Sequence, residues 1–292
     1  MKSQAALTTE NSAKESRLYL AIELSRKKWK LGFSDGRATR ARIRTIEARD
    51  FQKLGEEIEQ AKQHFGQAEA RTVSCYEAGR EGFWVHRALL ERGIDNVIVD
   101  AASIDIQRRK RAKTDRLDAE SLVRKLVRYH GGERDVWSVV RVPSREAEDA
   151  RQLHRDMAIL QRERQQHRMR IQSLLYTQGI DIKVTPKTMR DLGEIRCWDQ
   201  QPLPRELSDR IRREYARLRA VEADLRALKK QQQARVQSQA TATIDKVRQL
   251  RQLCGIGLKS SWIFVAELFG WRQFSSRREV GAALGVHPTR TS

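Results

Sequence analysis

Cysteine is scarce in this chain, with only Cys75, Cys197 and Cys254 among 292 residues, far apart and in no CxxC or Cys/His cluster. That spacing excludes a zinc-type motif and a disulfide framework and leaves buried or inert thiols as the expectation. Long apolar runs are missing too: none is long enough to span a bilayer, and no signal-type apolar stretch lies near Met1. The reading is therefore of a cytoplasmic chain that does not enter a membrane. Acidic residues are the third shortage. Lys and Arg total 58 against 38 Asp and Glu, a formal net charge of +20 with a pI near 10.4. Such an excess repels itself unless an anionic partner is present, and nucleic acid is the leading one. What remains, 39% hydrophobic residues, suffices to bury a core.

The opening "MKSQAALTTENSAKES", residues 1–16, is polar and without period, and is expected to be disordered. From Arg17, "RLYLAIELS" alternates in hydropathy and predicts a strand; "KWKLGFS" and "ATRARIRTI" flank the turn signal "DGR" and predict two more. Alternation of helix and strand follows: "DFQKLGEEIEQAKQHF", "RTVSCYEAG", "EGFWVHRALLERG" with Gly93 as its C-cap, "NVIVDA" and "TDRLDAESLVRKLVRYH". The order β-β-β-α-β-α-β-α predicts an α/β domain with a mixed sheet over residues 17–132, closing near Gly131 and Gly132.

Beyond "VPSREAED" glycine becomes rare and Arg, Gln and Glu dominate. Two long helices are predicted in residues 145–238. The stripes Leu153, Met157, Leu160, Arg164, His167, Ile171, Leu174 and Leu207, Ile211, Tyr215, Leu218, Val221, Leu225, Leu228 recur at steps of three and four. "TPKT" and "QPLPRE" break the pattern between them, so a helical coiled-coil region, antiparallel or intermolecular, is expected. Arg164 and His167 interrupt the first stripe, which leaves part of it open to a partner or to nucleic acid. Residues 245–292 turn apolar again and predict the start of a small α-helical domain.

The carboxylates of the first domain bear on chemistry. Glu23 lies near the end of the first strand, Glu77 at the end of the fourth, and Asp115 with Asp118 in the first turn of a helix, three apart and so on one face. Gathered at one sheet edge, four acids repel unless divalent cations hold them, and hard Mg²⁺ or Mn²⁺ is the natural choice. Plainer readings stand beside this one. Asp115 and Asp118 also suit a helix N-terminus capped by Thr114, and Glu77 suits a solvent-facing strand end. Glu23 interrupts an apolar segment, where a carboxylate needs a partner.

At this point the residues resemble a known family. "AIELSRKKWKLGF", "CYEAGREGFWVHRALLERGI", "KTDRLDAESL" and "LCGIGLKSSWIFVAELFGWRQFSSRREVGAALGVHP" are similar, block by block, to the DEDD transposases of bacterial insertion sequences, over about residues 17–292. The resemblance implies an N-terminal RNase H-like domain of the RuvC kind, with Glu23, Glu77, Asp115 and Asp118 as catalytic and metal-holding acids. Aspartate is usual in the family where this chain has Glu23; the extra methylene moves the carboxylate by about 1 to 1.5 Å. Asp35 is the nearest substitute, but "SDGRA" reads as a hairpin turn. The resemblance also implies a serine nucleophile after the "LG..P" segment, which falls on Ser292 or, by spacing, on the position just after it, and a C-terminal domain that is incomplete at "GVHPTRTS". Ser260, Ser261, Ser275 and Ser276 read instead as helix or turn residues.

Arg108, Arg109, Lys110, Arg111 and Lys113 precede the aspartate pair as a phosphate-holding run, with a solvated charged loop as the plain alternative. "GIGLKSS" offers backbone amides and Lys259 to a phosphate, or is an ordinary connection between helices. Trp84 and Trp262 read as core residues. The function expected is metal-dependent strand exchange on DNA, at element ends and target. From the resemblance come a homo-oligomer and a structured guide RNA as further partners. A RuvC-like junction nuclease and a nucleic-acid-binding protein without catalysis remain the alternative readings.

Overall fold

The structure is a computed structural model that describes residues 16–104, 115–272, 274, 276–283 and 285. The run Arg108–Arg111, Lys113 and Thr114, together with Ser275 and Ser292, lies outside the described residues. The chain divides into two compact units between Val142 and Pro143.

The first unit is built on a five-stranded sheet in the order β3-β2-β1-β4-β5. Its strands are β1 (Arg17–Leu24), β2 (Lys28–Ser34), β3 (Arg42–Glu47), β4 (Arg71–Glu77) and β5 (Asp95–Val99). β1 pairs antiparallel with β2 and parallel with β4; β2–β3 is antiparallel and β4–β5 parallel, so β2 alone runs against the other four. Asp35 sits in the β2–β3 turn, where its Oδ1 accepts from the amides of Arg37 and Ala38, and Gly36 takes φ +79°. That fixes it as a turn residue.

Helices cover both faces. α1 (Phe51–His64) and α2 (Trp84–Leu90) lie on one face, their Leu54, Ile58, Ala61, Val85 and Leu89 packed with Leu18, Leu20 and Ile22 of β1. The N-cap of α1 is Asp50, whose Oδ1 accepts from the Lys53 amide at 2.8 Å. Gly93, at φ +71°, turns the chain out of α2 toward β5, as the sequence predicts. α3 (Asp115–His130) lies on the other face, its Leu122, Val123 and Leu126 packed with Ala21, Cys75 and Val99. Because β1 is central and covered twice, its residues 18 and 20–22 are all buried, although the sequence alternates. Past Gly131 and Gly132 the chain stays on this unit: Trp137 joins the α3-side core, and the Val140 amide donates to Ile98 O at 2.8 Å.

The second unit is helical. After the short α4 (Arg145–Asp149), the long helices α5 (Gln152–Tyr176) and α7 (Arg205–Ser238) form an antiparallel pair. Leu153 and Met157, early in α5, share a core with Leu225 and Val236, late in α7, whereas Ile171 and Leu175 pack with Ile211 and Leu218. The connection carries α6 (Pro186–Arg190) and folds back so that Ile180, Met189, Leu192 and Cys197 close the second of these cores. α8 (Ala242–Leu250) and α9 (Leu258–Phe264) add Ile244, Val247 and Trp262 to the first, and α10 (Arg277–Ala283) follows. Trp262 is buried and Trp84 packs against the sheet core, both as the sequence suggests.

Candidate functional site

Parallel pairing of β1 with β4 builds the candidate site. The last paired residues are Ile22 and Tyr76; one step further along both strands lie Glu23 and Glu77. Side chains alternate across a strand, so these two acids fall on the face that carries Ala21 and Cys75, the α3 face. Glu23 is half-buried and lies across from Lys30 of β2; Glu77 is exposed. Both line a depression of about 200 Å³ with Ile22, Leu24, Ala78, Gly79, Arg80 and Glu81. It lies at the carboxyl ends of two parallel strands, where open α/β sheets bind their ligands.

α3 carries the other two acids. The Tyr19 ring lies 5.9 Å from the His130 ring, so the helix ends over the beginning of β1 and starts toward the Glu23 end. Gly32, the partner of Ala21 across β1–β2, admits the helix closely: a Cβ there would stand 2.9 Å from Ala119 O. Asp118, half-buried, immediately precedes Ala119. Asp115 is the first residue of α3, one helical turn earlier. Among the described residues, no group of three or more His, Cys, Asp or Glu side chains is gathered closely enough to hold a metal ion. The structure thus sets Glu23 and Glu77 on one depression, with Asp118 on the helix that covers the same face and not gathered with them into a metal-sized group.

Sequence reasoning did not single out Glu81 and Arg80. Glu81 lines the same depression and accepts from Trp84 Nε1 at 3.3 Å. The signal available was the strand end "EAGRE" itself, which continues from Glu77 through a turn. Lys259 lies at the start of α9 and donates to Gln161 Oε1 at 3.1 Å. Ser261 is a buried helix residue whose Oγ donates to Leu258 O, in keeping with its reading as structural.

Two further carboxylates of the second unit also went unnoticed. Glu214 of α7, buried, accepts from His167 Nδ1 at 2.7 Å, Arg170 at 2.8 Å and Arg217 at 2.9 Å. Burial alone would raise its pKa, but these three donors outweigh that and hold it at about 2. Glu267 lies in a π-turn, Val265–Phe269, that follows α9. It accepts from His154 Nε2 at 2.8 Å and from the Arg155 fork at 2.8 and 3.0 Å. Burial opposes ionisation there too, and the Arg155 and His154 donors again prevail, so its pKa is lowered. His154 is itself lowered, by burial first, despite the carboxylate. Gly270 closes the π-turn, since a Cβ at that position would stand 2.6 Å from Val265 O.

No protein-family model matches the chain. Among curated proteins, "Putative transposase y4rJ" of Sinorhizobium fredii is 33% identical over 294 residues, covering 93% of this chain and 72% of that protein. Identity at this level along nearly the whole chain, through both compact units, gives the class: a transposase. The chain belongs to the transposase family that includes y4rJ.

Proposed function

We propose that the chain is a transposase of the DEDD type, whose first unit is an RNase H-like domain of the RuvC kind acting on DNA phosphodiesters with divalent metal. One observation carries the reading. The parallel β1–β4 register sets Glu23 beside Glu77 at the rim of one depression, on the face where α3 begins with Asp115 and Asp118. The strand order, with β2 alone reversed, supports the fold assignment. The donor types, carboxylate oxygens on a basic protein, are those a hard metal takes, and binding would have to draw the α3 acids in beside Glu23 and Glu77. Glu23, Glu77, Asp115 and Asp118 would hold Mg²⁺ or Mn²⁺, which when bound supplies an activated attacking oxygen and a stabilised leaving oxygen.

The chain's own part is placement. Arg80, on the same depression, is set to meet a phosphate oxygen, and the run Arg108–Arg111 with Lys113 adjoins the acids in sequence. Exchange between two DNA segments further calls for a homo-oligomer, and a structured guide RNA is a partner consistent with the net charge of +20.

The test uses the purified chain with donor and target DNA, with and without RNA copurified from its host. Mn²⁺ binding is followed by electron paramagnetic resonance alongside strand cleavage. Glu77→Gln and Asp118→Asn are each expected to lose Mn²⁺ affinity and cleavage while keeping DNA affinity. Cleavage that survives both substitutions, or that persists in EDTA, refutes the assignment.

A further inference from the structure

The antiparallel pair α5–α7 carries more positive charge at one place than its own packing requires. Glu222, Leu225, Arg226 and Lys229 follow one another at helical spacing on α7, and Arg164 meets them from α5; together they line a cleft of about 190 Å³. Leu225, buried, belongs to the core beneath. Glu222, the only carboxylate of the lining, is already engaged, since Arg168 Nη2 donates to its Oε1 at 2.7 Å. Arg226 and Lys229 are exposed at the rim.

Arg164 is the residue that calls for an explanation. It occupies a stripe position that Met157, Leu160 and Ile171 fill with apolar side chains, and its Nε is buried with no acceptor among the described residues. The Nε of Arg168, beside it on α5, is in the same condition. Buried donors without acceptors are costly and are rarely kept without a reason. Two guanidinium groups and an ammonium around one cleft, with their single acid already paired, lack an anion that accepts several hydrogen bonds at once.

We propose that this cleft is a phosphate-binding site, and that the phosphate it takes is a backbone phosphate of nucleic acid. The guanidinium forks of Arg164 and Arg226 match phosphate oxygens, and Lys229 adds a point charge. A contact of this kind positions the nucleic acid on the helical pair and reads no sequence. The choice of nucleic acid as the source of the phosphate rests on the transposase reading; the phosphate chemistry of the cleft does not.

Arg164→Leu is the informative variant, because it returns an apolar side chain to the stripe. Thermal stability is expected to stay level or rise, whereas affinity for a short DNA duplex falls about tenfold. The slope of log K against log salt should shrink by about 0.9, the loss of one phosphate contact. The double variant Arg226→Gln/Lys229→Gln should behave alike, and inorganic phosphate, titrated by ³¹P NMR, should bind the wild-type chain and not the variants. Phosphate binding that the variants lose without any change in duplex affinity overturns nucleic acid as the source and leaves a free phosphate as the ligand. Variants that bind both like the wild type overturn the site. A wild-type chain that binds no duplex at all sinks the transposase reading along with the nucleic-acid assignment, whereas wild-type binding with unaltered variants sinks this inference alone.

Discussion

Replacing Glu214 by glutamine tests how the helical unit is held together. The carboxylate is buried between α5 and α7 and faces three donors, His167, Arg170 and Arg217. Its pKa of about 2, against an ordinary 4.5, expresses a preference for the ionised form of about 3 kcal/mol. Arg170 and Arg217 are more than half exposed, so water screens part of that, and about 2 kcal/mol is the expected loss in Glu214→Gln at neutral pH. For a chain of this size that lowers Tm by roughly 4 to 8 °C. Circular dichroism reads the shift, and hydrogen–deuterium exchange of α5 and α7 peptides places it. The pH dependence has a definite sign. The folded carboxylate gives up its proton more readily than the unfolded one, so its contribution is complete above about pH 4.5 and fades as pH falls toward 2. Wild type and variant should therefore converge across that window. Equal Tm values at pH 7, or a gap that stays constant down to pH 2.5, would refute the reasoning.

Two other perturbations address the candidate site. Gly32→Ala pushes a methyl group against Ala119 O, backbone against which no side chain can rotate away; it should cost about 1–3 kcal/mol by urea denaturation and, by displacing α3, weaken Mn²⁺ binding as well. Glu23→Asp, which shortens the half-buried acid by one methylene, should keep or raise metal-dependent cleavage, whereas Glu23→Gln should abolish it; equal activity in both variants would show that the carboxylate takes no part.

Elements were legible in this sequence where the pattern is local. The β2–β3 turn was visible in "SDGRA" and the end of α2 in Gly93, because turn and cap chemistry depend on one or two residues. Pairing was not. Strand order and the family resemblance set Glu23 with Glu77, but the parallel register between strands some fifty residues apart that places them side by side is encoded by no spacing in the chain. Gly32 illustrates the same limit, since its role appears only once α3 is laid across β2. Glu214 was within reach: it follows Ile211 by three and precedes Leu218 by four, on the seam itself. His167 was recognised as an interruption of the α5 stripe, and a polar interruption at a matching seam position of α7 was the partner to seek. Glu267 was hidden by its π-turn, which shifts the helical phase and spoils any count by threes and fours.

The pairing of His167 with Glu214 bears on more than stability. Both sit on seams that are mostly apolar, where Arg164 is the other polar member on α5, and their mutual contact marks one matched position along the two helices. Sliding α7 past α5 by seven residues, about 10 Å, would restore most apolar contacts but leave a carboxylate facing aliphatic side chains. The hairpin consequently has one low-energy alignment and behaves as a rod of constant length. The register at its looped tip is thereby tied to the register at the end where α8 and α9 pack.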